Sequence, residues 1–285
     1  MPPAIILNSA SKANTTGGTF ADSLAANSGD SLAVANYGGD SSVSRARVLE
    51  AWAIDSDSVA ELQWIYTRPQ STHDQSHGLR FSVAAIVPGG AAIPAAHMLL
   101  GGLITIDLYK SDVAIQQVTT TAADDFVLSW TTEYDDLPGV QGVFASWEQV
   151  QNLQKSIVGI NSLAVASGTP GLYGASRAFN TDDDRLHADT WYAILGATVR
   201  TQVTTISLIG PDWGGQRIGL PAGVPQLDSS SFFVDQTLKW GKPLIPCFNS
   251  NNRASVFVNV ADGEASTTPN IDFLLYELTS RPGNY

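Results

Sequence analysis

The sequence predicts an all-β protein, in which an antiparallel sandwich of about eight strands is used twice in tandem and joined by one helix. Three observations predict it. Short strand-like runs recur at intervals of about 8–12 residues, too close together for the helical crossovers that parallel strands require. A stretch in the first half, Gly101 to Gly139, returns altered as Gly241 to Gly283. Helical periodicity is confined to one segment, at the junction of the halves.

The repeated stretch opens in both copies on Gly and an apolar pair, Leu103-Ile104 or Leu244-Ile245. It closes in both on Glu, four residues and Pro-Gly: Glu133, Pro138 and Gly139 against Glu277, Pro282 and Gly283, an offset of 283 − 139 = 144. Upstream, Val59, Leu62 and Trp64 meet Val203, Ile206 and Leu208 at the same offset, and the run Val48 to Ile54 precedes them as Trp191 to Val199 precedes the others. Solenoid repeats have periods of about 20–50 residues, so this is a domain used twice. Strand patterning shared by two unrelated halves is the competing explanation. Three blocks holding nearly one offset in order favour duplication.

In chain order, residues 1–30 form an N-terminal arm rich in Ser, Asn, Thr, Ala and Gly, either ordered by partners or a disordered end. Residues 31–142 are the first sandwich, with strands at 31–37, 47–54, 59–67, 79–87, 103–108, 113–119 and 126–134 and one helical turn at 95–100. Leu62, Trp64 and Tyr66 alternate with polar residues there, the mark of a half-buried strand. Residues 143–175 link the halves. Ser146 and Gln149 are placed for a capping box, and Trp147, Val150, Leu153, Ile157, Ile160 and Leu163 follow at helical spacing, giving a helix over 146–163. Residues 176–285 are the second sandwich, with strands at 191–199, 203–209, 216–220 and 232–240 before the repeated block.

Charged residues are 15% of the chain, below the usual quarter, and the polar remainder is largely neutral, which suits a protein that buries its outside against copies of itself. A formal charge of −12 argues against a chain that neutralises nucleic-acid phosphates. The one cysteine, Cys247, excludes an internal disulfide and a cysteine metal cage, and its apolar neighbours make it a packed thiol. The N-terminus lacks the basic lead of a secretory signal, and no run approaches the roughly 20 apolar residues of a membrane span, so a soluble, cytoplasmically folded chain is expected.

Over about residues 40–285, a doubled sandwich with one joining helix resembles the double jelly-roll major capsid proteins of tailless icosahedral viruses, the family of the membrane-containing phages PRD1 and PM2 and of adenovirus hexon. The segment from Trp191-Tyr192-Ala193-Ile194 to Trp213-Gly214-Gly215-Gln216-Arg217 is similar to the opening of the second roll in the PM2-type members. The resemblance implies two tandem eight-stranded jelly rolls and a homotrimer of pseudo-six-fold outline that tiles an icosahedral shell. It implies synthesis in a host cytoplasm and a place in the virion capsid. Its partners would be other copies, penton and minor capsid proteins and, in several relatives, an internal membrane, with no direct nucleic-acid contact. The loops here are short, which departs from members that carry receptor-binding towers.

Read for chemistry, the sequence offers little. His73 and His77 flank Asp74 at ligand spacing for a helix, but Gly78 and polar neighbours place them in a loop. His97 and His187 have no carboxylate or nucleophile at motif spacing, and the nucleophile-elbow, zincin and phosphate-loop patterns are absent. The acidic pairs Asp124-Asp125 and Asp135-Asp136 sit at turns, where Asp bonds local backbone. Asp182, Asp183 and Asp184, with Asp189 nearby, suit calcium among cations. No residue is read as catalytic and no cofactor is expected; calcium at Asp182 to Asp184 is the functional alternative to a metal-free, solvated turn. Trp213, in the turn Pro211 to Gly215, is the best candidate for an exposed ring: an interface anchor, a packed lid, or the sugar platform of a carbohydrate-binding sandwich, the alternative function.

Overall fold

The computed structural model describes eight strands in residues 1–141, with side chains at 49 and 50, and in the second half residues 142–283 apart from 168–173, 180–185, 200–203, 214–216, 223–228 and 263–267. No described helix is long and apolar enough to cross a membrane. The strands fall into two compact units.

The first unit holds β1 (Ala4–Ala13), β2 (Ala21–Leu24), β3 (Arg45–Asp55), β4 (Ala60–Pro69), β5 (Leu79–Val83), β6 (Ala95–Asp107), β7 (Ser111–Thr119) and β8 (Asp125–Tyr134). Their pairing is nested: β1 with β8, β2 with β7, β3 with β6 and β4 with β5, each antiparallel. That is one long hairpin of strand pairs. Further pairing of β3 with β8 and β4 with β7 wraps it into two sheets, ordered β1-β8-β3-β6 and β2-β7-β4-β5. A hairpin wound in this way is a jelly roll.

The second unit holds β9 (Phe144–Ala145), α1 (Trp147–Leu153), β10 (Gln154–Ala164), β11 (Arg177–Ala178), β12 (Trp191–Val199), β13 (Thr204–Ile209) and β14 (Arg217–Ala222), then α2 (Phe232–Trp240), β15 (Ile245–Asn249), β16 (Phe257–Asp262) and β17 (Asn270–Leu278). Short 3-10 turns occupy Pro211–Trp213 and Ser250–Ser255. The sheets are ordered β10-β17-β12-β15-β9 and β11-β16-β13-β14. Setting β9 aside, strand for strand this is the order of the first unit, so the chain carries the jelly-roll winding twice. β9 adds a fifth strand along the β15 edge.

The offset read from the sequence recurs at three of the matched strand boundaries. β4 and β13 begin at 60 and 204, β3 and β12 end at 55 and 199, and β8 and β17 end at 134 and 278, each pair 144 apart (204 − 60, 199 − 55, 278 − 134). A register shift recurs as well. In the third strand of each set one residue bulges against the eighth strand, between Val48 and Glu50 in β3 and between Ile194 and Gly196 in β12.

The second unit shows why these residues form these elements. In β17, Ile271, Phe273 and Leu275 are buried while Asp272, Leu274 and Tyr276 are half-buried, the period-2 signature of a strand with one face on a core. Phe273 meets Phe179 edge-to-face with centroids 5.0 Å apart; Phe179 meets Phe248 at 5.4 Å, and Tyr192 stacks on Phe248 at 5.8 Å. β12 is buried continuously from Tyr192 to Ala197, because α2 contacts it as well. A strand covered on both faces loses its alternation and reads as an apolar run.

Four local expectations are corrected. Residues 4–13 and 21–24, read as arm, are paired strands, the first along its whole length, since pairing with β8 and β7 overrides a composition that resembles coil. Residues 95–100 belong to β6, opposite Ile54 to Glu50, and not to a helical turn. The helix after Ser146 ends at Leu153, where the chain becomes β10; Ile157, Val158 and Ile160 are β-branched, Gly159 weakens a helix, and β17 offers a ladder. The capping box itself is present, with Ser146 Oγ accepting from Gln149 N at 3.2 Å and Gln149 Oε1 accepting from Ser146 N at 3.0 Å. Residues 232–240, read as strand, form α2: Phe232, Phe233, Gln236 and Thr237 are buried at helical spacing, and Gly241 closes the helix at φ 63°.

Candidate functional site

The most developed polar cluster among the described side chains centres on Glu277, the glutamate that closes the second copy of the repeat. Register explains how it is built. Glu277 lies directly opposite Ser156 on β10 and Tyr192 on β12. β10 bulges between Gln154 and Ser156, which lets two consecutive residues, Lys155 and Ser156, reach the same carboxylate. Lys155 Nζ donates to Glu277 Oε1 at 2.6 Å and Ser156 Oγ to Oε2 at 2.6 Å. His187 Nδ1 stands 3.3 Å from Oε1, and the His187 backbone N–H donates to Tyr192 Oη at 2.8 Å.

The Glu277 side chain is 2% exposed, whereas those of Lys155 and His187 are 58% and 66% exposed. The hydrogen bonds from Lys155 and Ser156 hold the Glu277 carboxyl below the usual glutamate range against its burial, and the same Lys155–Glu277 contact raises the lysine. Burial raises the Tyr192 phenol. Chemically this is a carboxylate saturated by donors. Ser156 bonds Oε2 of Glu277 while His187 Nδ1 stands against Oε1, so the histidine does not stand between nucleophile and acid as a relay requires. In the first copy, Arg47 lies opposite Glu133, so each closing glutamate has a cation-bearing residue on a neighbouring strand or beside it.

A second polar cluster ties the loop before β12 to the turns beyond β13 and β15. Asp212 accepts from Asn249 N at 3.0 Å and from Asn252 Nδ2 at 2.9 and 3.0 Å, while its carbonyl accepts from Val143 N at 2.7 Å. Asp189, at φ 50°, accepts at Oδ1 from Asn249 Nδ2 at 3.3 Å and Asn251 Nδ2 at 3.0 Å. These carboxylates are committed to amide donors. Among the described residues no three His, Cys, Asp or Glu side chains converge as a metal site would require.

Trp213 is not exposed. It has no accessible surface, and its neighbours are shaped to it: a Cβ added at Gly142 would come within 2.5 Å of Trp213 Cα, and one at Gly210 within 2.6 Å of the indole ring. The ring is a packed lid at the Pro211–Trp213 turn and offers no platform for a sugar. Its Nε1 is buried without a hydrogen-bond partner among the described residues. Cys247 is buried as expected, and desolvation holds its thiol protonated, far above the usual thiol range. Thiol reagents are therefore expected to leave the native chain unlabelled and to label it at the rate of unfolding. Labelling within the dead time of mixing would contradict that burial.

Asp182, Asp183 and Asp184 lie outside the described residues, as do His73, Asp74, His77, Asp124, Asp135 and Asp136; Asp125 opens β8, and His97 sits in β6 opposite Trp52. Sequence reasoning missed Lys155, Ser156 and the partnership of His187 with Glu277. Glu277 itself carried a signal, as the residue closing both copies.

No family model matches the chain, and no curated protein matches it. Solved structures that match the chain include the STIV major capsid protein, 10% identical over 96% of each chain at a TM-score of 0.21. The major capsid protein P2 of bacteriophage PM2 is 7% identical over 98% of this chain and 100% of its own, at 0.23. The protein YhaK from Escherichia coli is 12% identical over 98% and 87%, at 0.21. Superpositions this loose carry no argument. The fold rests on the chain's own strand order, which defines a double jelly roll.

Proposed function

We propose that this chain is a structural, non-enzymatic protein: the major capsid subunit of a virus, whose copies associate as trimers of pseudo-six-fold outline and tile an icosahedral shell. One observation carries the reading, the repetition of the jelly-roll strand order within a single chain. Two rolls per copy give six upright walls in a three-copy ring, and a ring closes without leaving a sticky end when the contact is heterologous. Jelly rolls also shelter their strand edges, which a protein packed at high local concentration requires. A sequence only 15% charged lowers the desolvation cost of broad contacts between copies. The carbohydrate-binding alternative loses support with Trp213 buried.

Negative-stain microscopy of the purified chain tests the proposal. The expected images are particles of hexagonal outline with three-fold averaging, alone or in closed shells. Single small particles at every concentration, together with measurable sugar binding, would sink it.

A further inference from the structure

We propose that Glu277 is a charge-held latch: one buried carboxylate on β17 fastens the α1–β10 junction and, through α1, the segment 279–283, with His187 of the loop before β12 drawn against it, and acid releases these contacts together while the sandwich stays folded. The inference is independent of whether the chain builds a shell. Two attachments reach the residue directly, and a third runs through α1. Lys155 and Ser156, the second and third residues after α1, bond its two oxygens. His187 brings the loop to Oε1 and bonds through its backbone to Tyr192, the residue opposite Glu277 on β12. Beyond Glu277 the chain lies along α1: Thr279 N donates to Leu153 O at 2.8 Å, Pro282 is buried, and Gln149 Nε2 donates to Gly283 O at 3.3 Å. Gln149 is the residue that also closes the capping box, so α1 and this segment are held by one side chain.

The charged and titratable groups facing the carboxylate are Lys155 from β10, His187 from the loop and Tyr192 from β12, with Arg253 of the Ser250–Ser255 turn near Tyr192 and bonded to Leu186 O. All the donors that bond Glu277 address a carboxylate acceptor. A neutral carboxyl must use one oxygen as a donor and no longer attracts the ammonium, so protonation breaks several contacts at once. Lys155 and His187 are more than half exposed and can swing into water when released. Because the folded carboxyl titrates below the usual glutamate range, the latch is fully closed above that range and opens as pH falls through the lowered value.

Hydrogen exchange on the full chain tests this, with protection factors followed at the His187 and Thr279 amides and across the β12–β17 ladder. At neutral pH all are expected to be protected. As pH falls below the ordinary glutamate range, His187 and Thr279 should lose protection together, by about tenfold or more, with the ladder unchanged. Glu277→Gln should show the loss already at neutral pH and no acid step. Lys155→Met, a change at an exposed side chain, should keep the step and move it to higher pH, and it decides the matter if the first variant does not fold. Loss at two separate pH values, loss together with the ladder, retention through the acid range, or an unmoved step in Lys155→Met would each overturn the proposal.

Discussion

Replacing Trp213 by alanine should lower the unfolding free energy by about 3–5 kcal/mol, the range for a large aromatic removed from a packed site. The cost is placed at the high end by the surroundings. Gly142 and Gly210 approach the residue so closely that neither has a side chain to move into the space, and Asp212 beside it anchors β9, β15 and the Ser250–Ser255 turn. The cavity would therefore persist. Trp213→Phe should cost distinctly less, because the lost indole N–H has no described partner and leaves nothing unpaired. Denaturant titration followed by circular dichroism separates the two. A loss below about 1 kcal/mol for Trp213→Ala would mean that the ring does not close this corner.

Phe273→Ala is expected to be comparably damaging, again about 3–5 kcal/mol. The residue is the β17 contribution to the aromatic core, 2% exposed, and its edge-to-face contact with Phe179 adds about 0.5–1.5 kcal/mol beyond burial. Phe179 would be left with Phe248 as its ring partner. The control is Ile157→Ala on the neighbouring β10. Ile157 is 63% exposed, and its replacement should change stability by no more than about 0.5 kcal/mol. Equal losses at the two sites would contradict the assignment of inner and outer faces to this sheet.

What could be read from the sequence, and what could not, follows from the range of the interactions involved. The repeat was legible because strand length, turn position and the closing Glu-x4-Pro-Gly are local, and three matched strand boundaries of the two units keep the offset they imply. α1 was legible through its capping box but not in its extent, since Ile157 to Leu163 satisfy helical spacing and strand pairing alike, and only the ladder with β17 decides. α2 was missed because Phe232-Phe233-Val234 mimics a buried strand, and its covering of β12 and β15 is a long-range event. For Trp213 the packed lid was one of several readings its turn allowed, and what decides for it is long-range: Gly210 and the distant Gly142 make room for the ring. The Glu277 cluster joins residues 122 and 121 positions apart in sequence and depends on a one-residue bulge, which no local pattern announces.

The central claim is that two jelly rolls in one chain serve to build a closed assembly. Native mass measurement of the purified protein tests it most directly. Three copies of a 30.2 kDa chain, a species of about 91 kDa or shells built in multiples of it, is the expected result. A single 30.2 kDa species that persists as concentration is raised would contradict it.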